Sequence, residues 1–447
     1  MENLSPRPNC LRWISLAVLV TSFGTGPLVA AELDDYVKKP DPSFAWKQTS
    51  NHTTEAGKVH SLELTSQVWQ GITWTHDLTI YEPSEVTYPD AVLLFIGGGS
   101  TGGKPDDKDH RLAFGLARVT GSRVAMLRQV PNQPLLGDKK EDALISETFV
   151  RYLETKDANW PLLFPMVKSA VRAMDAVQAW ARNKGLPEVK RFVVTGGSKR
   201  GWTTWLTGAV DPRVVGIAPM VIVMLNMGLQ GPNQIEVWGN YSEQIEDYVR
   251  RGLMERAKTP EGTQLWKMVD PYTFRDRLSI PKMLINGTND RYWTLNALDL
   301  YWNDLKDPKY VVELPNAGHG LENHREWAIN GLGAFFRHVV TGRPMPKLSW
   351  ALSGSSPGTR TLKVEADPAP LSARLWTTTS SSRDFRESRW TSAPLQVGTC
   401  LTAELQPPAS GQLAAFAELE YETDGIRYHL TTTFVEPAAK SATRKAP

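Results

Sequence analysis

Residues 191–202, Arg-Phe-Val-Val-Thr-Gly-Gly-Ser-Lys-Arg-Gly-Trp, constrain this chain more than any other stretch. A short β-branched run meets a glycine pair, then a serine, then a helix-like segment. That order presents a serine hydroxyl on a sharp strand-to-helix turn. Glycine is needed at Gly196 because so tight a turn admits no side chain two residues before the serine. A helix opening after Ser198 aims backbone N–H groups at any negative oxygen that forms beside it. The usual pattern is G-x-S-x-G; here Arg200 takes the second glycine position and Gly201 follows one residue later. A serine in a purely structural glycine turn is the competing reading of this segment alone.

Three further pieces change the balance. Residues 281–290 read as a buried strand ending in a turn that carries Asp290, and residues 310–320 as another strand, whose turn carries His319 between two glycines. Upstream, the apolar run 91–96 enters Gly97-Gly-Gly99-Ser-Thr-Gly-Gly103, which is similar to the glycine loop supplying an oxyanion-hole N–H in esterases. Serine, then acid, then histidine, each just past a strand end, is the α/β-hydrolase order. A serine hydroxyl is a weak nucleophile and needs a base within hydrogen-bond reach, which His319 supplies while Asp290 fixes its tautomer. The oxyanion donors are expected to be the backbone N–H of Lys199 and one from Gly98 or Gly99. His110, His324 and His338 rival His319, but none follows a strand; Asp270 and Asp299 rival Asp290. The side chains of Lys199 and Arg200 are read either as positive charge for an acidic substrate group or as a solvated helix start.

Apolar runs alternating with helical segments (111–119, 165–183, 324–339) imply an α/β fold with a mostly parallel sheet covered on both faces. Residues 58–69 and 72–81 alternate apolar and polar side chains around Gln70-Gly71 and read as a hairpin at the sheet edge. A hydrolase domain over 32–345 is expected, in which residues 224–279 are read either as an inserted cap or as an extra surface helix pair. After Pro344, strand-like runs at 348–353, 361–366, 373–379, 401–405, 413–421 and 427–435 suggest a C-terminal all-β, sandwich-like domain over 346–436. Within it Leu375 or Trp376 should face inward, and Trp390 is placed at an interdomain seam. A loose tail follows over 437–447.

The chain of 447 residues is long enough for two cores. A formal charge of +2 gives no reason to expect nucleic acid as a partner. Asp106, Asp107 and Asp109 lack a ligand set, so neither metal nor cofactor is expected. Most of the sixteen tryptophans are read as core. Arg7 and Arg12 precede an apolar stretch, 13–20 and more loosely to 29, and the small residues Ala30 and Ala31 follow. This reads as an export signal over 1–31, cleaved after Ala31, giving a periplasmic or extracellular protein without stable membrane insertion; an uncleaved anchor is the alternative. Cys10 lies in that segment, so the mature chain keeps only Cys400 and no internal disulfide. Asn51, Asn240 and Asn286 each open a glycan-acceptor tripeptide, Asn286 at a strand end.

Taken together, the chain resembles the PhoPQ-activated pathogenicity-related proteins, relatives of the autocrine proliferation repressors. Residues 196–202, 286–290, 315–319, 373–376 and 383–386 carry the likeness. It implies an α/β-hydrolase core with a C-terminal β domain in an exported protein, and it names no substrate. A weaker likeness is to glucuronoyl esterases, with G-x-S-R-x-G at the nucleophile; Lys199 stands at that arginine. Two functions are therefore expected as alternatives. One is a serine hydrolase acting on an ester or amide of a small molecule, glycan ester or peptide. The other is a non-enzymatic secreted interaction or signalling protein that keeps the fold.

Overall fold

The computed structural model describes residues 31–354 and 358–437. The proposed export segment, apart from Ala31, and nearly all of the tail lie outside them. Nine strands form the main sheet: β1 (Ala45–Thr54), β2 (Gly57–Trp69), β3 (Ile72–Pro83), β4 (Ala91–Ile96), β5 (Arg123–Leu127), β6 (Arg191–Gly197), β7 (Val214–Met220), β8 (Lys282–Gly287) and β9 (Lys309–Leu314). Their spatial order is β1-β2-β3-β5-β4-β6-β7-β8-β9. The first three strands are antiparallel, and β5 through β9 run parallel. β4 reads Ala-Val-Leu-Leu-Phe-Ile and is almost wholly buried, because parallel strands are covered on both faces. The hairpin read from sequence is β2–β3, turned by Gln70 (φ 50°) and Gly71 (φ 75°), both left-handed as a two-residue turn demands. It is not the sheet edge. β1 lies outside it, and its mostly exposed, polar side chains give no alternation to read.

Helices α1 (Ala31–Lys38), α2 (Asp107–Thr120), α3 (Glu141–Thr155), α4 (Leu163–Asn183) and α5 (Lys199–Val210) connect or cover the strands. α2 starts earlier than its apolar pattern suggests, because Asp106 caps it and accepts from the N–H of Lys108 and Asp109. The acidic cluster is thus a helix start. Between β7 and β8 the chain makes a helical excursion of α6 (Met227–Trp238), α7 (Glu246–Arg250), α8 (Leu253–Arg256) and α9 (Pro260–Val269). α10 (Arg325–Thr341) then packs on the sheet face opposite α4.

The C-terminal part forms two antiparallel sheets. One has three strands, in the order β10 (Lys347–Ser353), β11 (Arg360–Asp367), β14 (Cys400–Leu405). The other has four: β13 (Thr391–Pro394), β12 (Ser372–Ser380), β15 (Gln412–Thr423) and β16 (Ile426–Thr431). The short β13 was not foreseen, and the strand read over 427–435 ends at Thr431. One buried cluster holds Phe335 and Phe336 of α10 together with Leu362, Val364, Leu419 and Tyr428 of these sheets. Trp376 lies half-buried, stacked on Phe416 at 6.3 Å. Among the described residues, no helix is long and apolar enough to cross a membrane, and Cys400 is exposed and unpaired. Asn286 is buried in β8 and donates to Glu313, whereas Asn51 and Asn240 are exposed.

Candidate active site

Ser198 occupies the single residue between β6 and α5, at φ 56° and ψ −125°. A non-glycine residue at positive φ stores strain of order 1–3 kcal/mol, so its surroundings must hold it there. Two bonds do so: Ser198 N–H donates to the Met220 carbonyl at 2.9 Å, and Trp202 N–H donates to the Ser198 carbonyl at 3.0 Å. A Cβ on Gly196 would stand 2.9 Å from the Arg200 backbone, which is why that position is glycine.

Asp290 follows β8 and is buried. Its Oδ2 accepts from His319 Nδ1 at 2.8 Å, and its Oδ1 accepts the Tyr292 N–H at 2.9 Å. With Nδ1 committed to the carboxylate, the second ring nitrogen is the one free to take a proton. That atom, His319 Nε2, is buried and has no hydrogen-bond partner. The structure thus brings Asp290 and His319 together. No hydrogen bond joins His319 to Ser198 here; both border Tyr292, whose ring lies 4.3 Å from the imidazole, centroid to centroid. Catalytic hydrogen bonds are commonly loose before substrate binds.

The glycine loop after β4 is held by its carbonyl groups. Gln129 N–H donates to Gly98 O and Val130 N–H to Gly97 O. Lys199 is the first residue of α5, so its N–H has no acceptor within the helix. A Cβ on Gly98 would lie 2.7 Å from the Arg200 guanidinium, which crosses the loop there.

Neither sequence reading of the Lys199 and Arg200 side chains describes what they do. Both are buried. Arg200 donates to both carboxylate oxygens of Glu141 at 2.8 Å and to the Val130 carbonyl at 2.6 Å. Burial alone would raise the Glu141 pKa; the Arg200 hydrogen bonds and charge, with Gln133 and Lys199, outweigh it and hold it at about 2. Lys199 Nζ pairs with Asp142 at 2.7 Å. Tyr248 and Tyr292 also donate to Asp142, at 2.9 and 3.3 Å. Burial, and then the Asp142 charge, push both phenols well above their ordinary pKa.

The rivals have other work. His110 accepts or donates with Tyr81 OH at 2.9 Å, and His338 bonds Thr423 and the Arg343 carbonyl. His324 sits at the N-terminus of α10. Asp270 accepts from the N–H groups of Asn226, Met227 and Tyr272, and Asp299 lies on a 3-10 turn.

The sequence gives little sign of the residues that surround Asp290 and His319. Beside Asp290, Asn289 Nδ2 donates to the carbonyls of Arg386 and Ser388 at 3.0 and 2.7 Å. Before His319, Asn316 Nδ2 donates to Trp390 O at 3.0 Å and its Oδ1 accepts Trp390 N–H at 2.8 Å. Both turns therefore dock on the segment 386–390 that connects β12 to β13, and Trp390 is buried against Phe416 and Phe434. The only advance signal was that both asparagines lie in the motif stretches themselves.

Ser198 opens onto a cavity of about 450 Å³, whose lining includes Trp202, Met224, Met227 and Trp293 as well as Asp142 and Lys258. A mostly parallel sheet in this order, with serine at a strand–helix turn and a bonded Asp–His pair at later strand ends, defines an α/β-hydrolase fold. The chain belongs to the PhoPQ-activated pathogenicity-related protein family, whose model matches residues 33–386. Autocrine proliferation repressor protein A of Dictyostelium discoideum is 32% identical over 392 residues, covering 83% of this chain and 79% of that protein. Among solved structures, acetyl xylan esterase 1 of Thermoanaerobacterium sp. is similar at 18% identity and a TM-score of 0.47, covering 68% of this chain and 94% of that one. A glucuronoyl esterase of Solibacter usitatus is similar at 14% identity and a TM-score of 0.41, covering 68% and 91%.

Proposed function

We propose that the protein is an exported serine hydrolase that cleaves an ester or amide through an acyl-enzyme. The observation that carries this reading is the 2.8 Å bond from His319 Nδ1 to Asp290, which leaves Nε2 unpartnered, while a strained serine that borders the same Tyr292 opens on a cavity. Ser198 Oγ attacks the carbonyl carbon while its proton passes to His319 Nε2. The carbonyl oxygen becomes an oxyanion, received by the N–H of Lys199 and that of Gly98 or Gly99; each such donor contributes about a hundred- to thousandfold in rate. The oxyanion collapses, the bond to the leaving group breaks, and His319 gives that group its proton. Water then loses a proton to His319 and attacks the acyl carbon. Ser198 leaves with the proton back on Oγ, and the carboxylic acid departs. Asp290 stays ionised throughout and stabilises the imidazolium.

A fluorophosphonate probe should label the wild type and not Ser198→Ala. Labelling that is unaffected by the substitution would remove Ser198 from the mechanism. The missing Ser198–His319 bond and the name of the Dictyostelium relative support a second reading, a secreted signalling protein that keeps the fold; failure of the wild type to label or to hydrolyse any ester or amide would favour it. Export is read from residues 1–31. Mass spectrometry of the exported protein should give an N-terminus at Glu32, and retention of Met1 would favour an uncleaved anchor.

A further inference from the structure

We propose that the cavity beside Ser198 is the acyl subsite and takes an apolar acyl group much larger than acetyl, with a polar alcohol leaving on the His319 side. This rests on the serine hydrolase reading, because the direction of proton transfer decides which part of the substrate goes where. His319 must protonate the leaving oxygen, so the leaving group lies against His319. The group on the far side of the reacting carbon is the acyl chain.

The two sides differ in chemistry. Ser198 lines the 450 Å³ cavity and His319 does not. Methionine, isoleucine and tryptophan side chains give its wall a largely apolar surface, and most of the lining residues come from the excursion between β7 and β8. Unbranched, polarisable methionines adapt to acyl chains of varied shape. Charge near the serine is already satisfied: Lys199 is held by Asp142, and Asp142 also accepts from Tyr248. A sugar-like acyl group would find few free polar partners there, because Gln230 and Gln234 are committed to backbone groups, and an anionic one would meet only Lys258, which is exposed on the wall. An acetyl group would leave most of a cavity of this size unfilled.

His319 instead lines a separate, open cleft with Gln244, Arg291, Asn316, Ser388 and Arg389. Arg291 in that cleft pairs with Glu243 and Glu387, and Arg386 with Asp384. This wall is polar, with Arg389 exposed beside the paired arginines, which suits a leaving group that carries hydroxyl groups. Tyr292 borders both spaces and stands between them.

The test compares nitrophenyl octanoate with nitrophenyl acetate. Each buried methylene contributes about fourfold to transfer from water, so octanoate should be favoured in kcat/KM by more than about tenfold. Ala257 lines the cavity on the excursion and is only half-buried. Ala257→Trp fills the space and should cut the octanoate-to-acetate ratio about tenfold. A binding measurement stands apart from turnover: octanoate, and not acetate, should change the fluorescence of Trp202, Trp266 and Trp293 in Ser198→Ala, and Ala257→Trp should abolish that change. Labelling by fluorophosphonate with an equal or greater rate on acetate overturns the acyl subsite and leaves the hydrolase reading intact. Octanoate binding without hydrolysis of any ester supports an apolar-acid site and removes the hydrolase reading. Neither binding nor hydrolysis overturns both.

Discussion

Ser198 keeps its left-handed backbone because the Met220 carbonyl and the first turn of α5 hold it from both sides. That Ser198, Asp290 and His319 each follow a strand was legible in the sequence, because each ends a recognisable apolar run. Their neighbours were not. Tyr292 and Asp142 are 150 residues apart, and no local pattern joins them; only the fold brings helix α3 to the serine turn. At this scale the sharpest prediction is Asp290→Asn. An amide at this site can donate to His319 Nδ1 and so move the ring proton to Nε2, where it can no longer accept from the serine. Ester or amide hydrolysis should fall by about ten-thousandfold, with fluorophosphonate labelling slowed in parallel and circular dichroism unchanged. An unchanged rate would give the acid role to another carboxylate.

Elements were readable where burial and apolarity coincide. Helix α4 stands out because its buried face is almost purely apolar. Helix α3 was missed because its buried face includes Ser146 and Thr148. The Thr148 hydroxyl satisfies itself on the Ile145 carbonyl and accepts the Leu162 N–H, so a residue that reads as surface is core. The excursion between β7 and β8 broke the sheet pattern in the sequence, and Asp270 shows how it is anchored. Its carboxylate takes the N–H groups at the start of α6 and of the next 3-10 turn. Burial raises its pKa from 3.8 to about 7 in spite of those bonds. A raised acid keeps its proton in the folded state where the unfolded chain has lost it. Stability should therefore fall as pH rises from about 3.8 to about 7. Asp270→Asn should flatten that fall, read as urea midpoints across the same range. Parallel curves for both proteins would show that Asp270 titrates normally.

The two parts of the molecule meet at several places, and two of these can be separated by experiment. The first is the apolar cluster in which α10 meets the C-terminal sheets. Removing everything after Pro344 would expose Phe336 and its neighbours as a contiguous patch, and the remaining chain should aggregate. The second place is polar and lies at the site. Asn289 and Asn316 tie the Asp290 and His319 turns to the carbonyls and N–H of residues 386–390. Asn289→Ala and Asn316→Ala leave the apolar seam whole, so the protein should stay soluble. Each strands backbone groups that had partners, at a cost of about 1–3 kcal/mol, and frees a turn that sets the His319–Asp290 geometry. The expected signature is a kcat lowered by about ten- to a hundredfold with KM little changed, because misplacement by about an ångström acts on the reaction step more than on binding. A soluble, fully active chain ending at Pro344 would show the C-terminal sheets to be an independent module. Loss of kcat in the asparagine variants alone, with solubility kept, would mean that these sheets serve the chemistry by holding the acid and base turns in place.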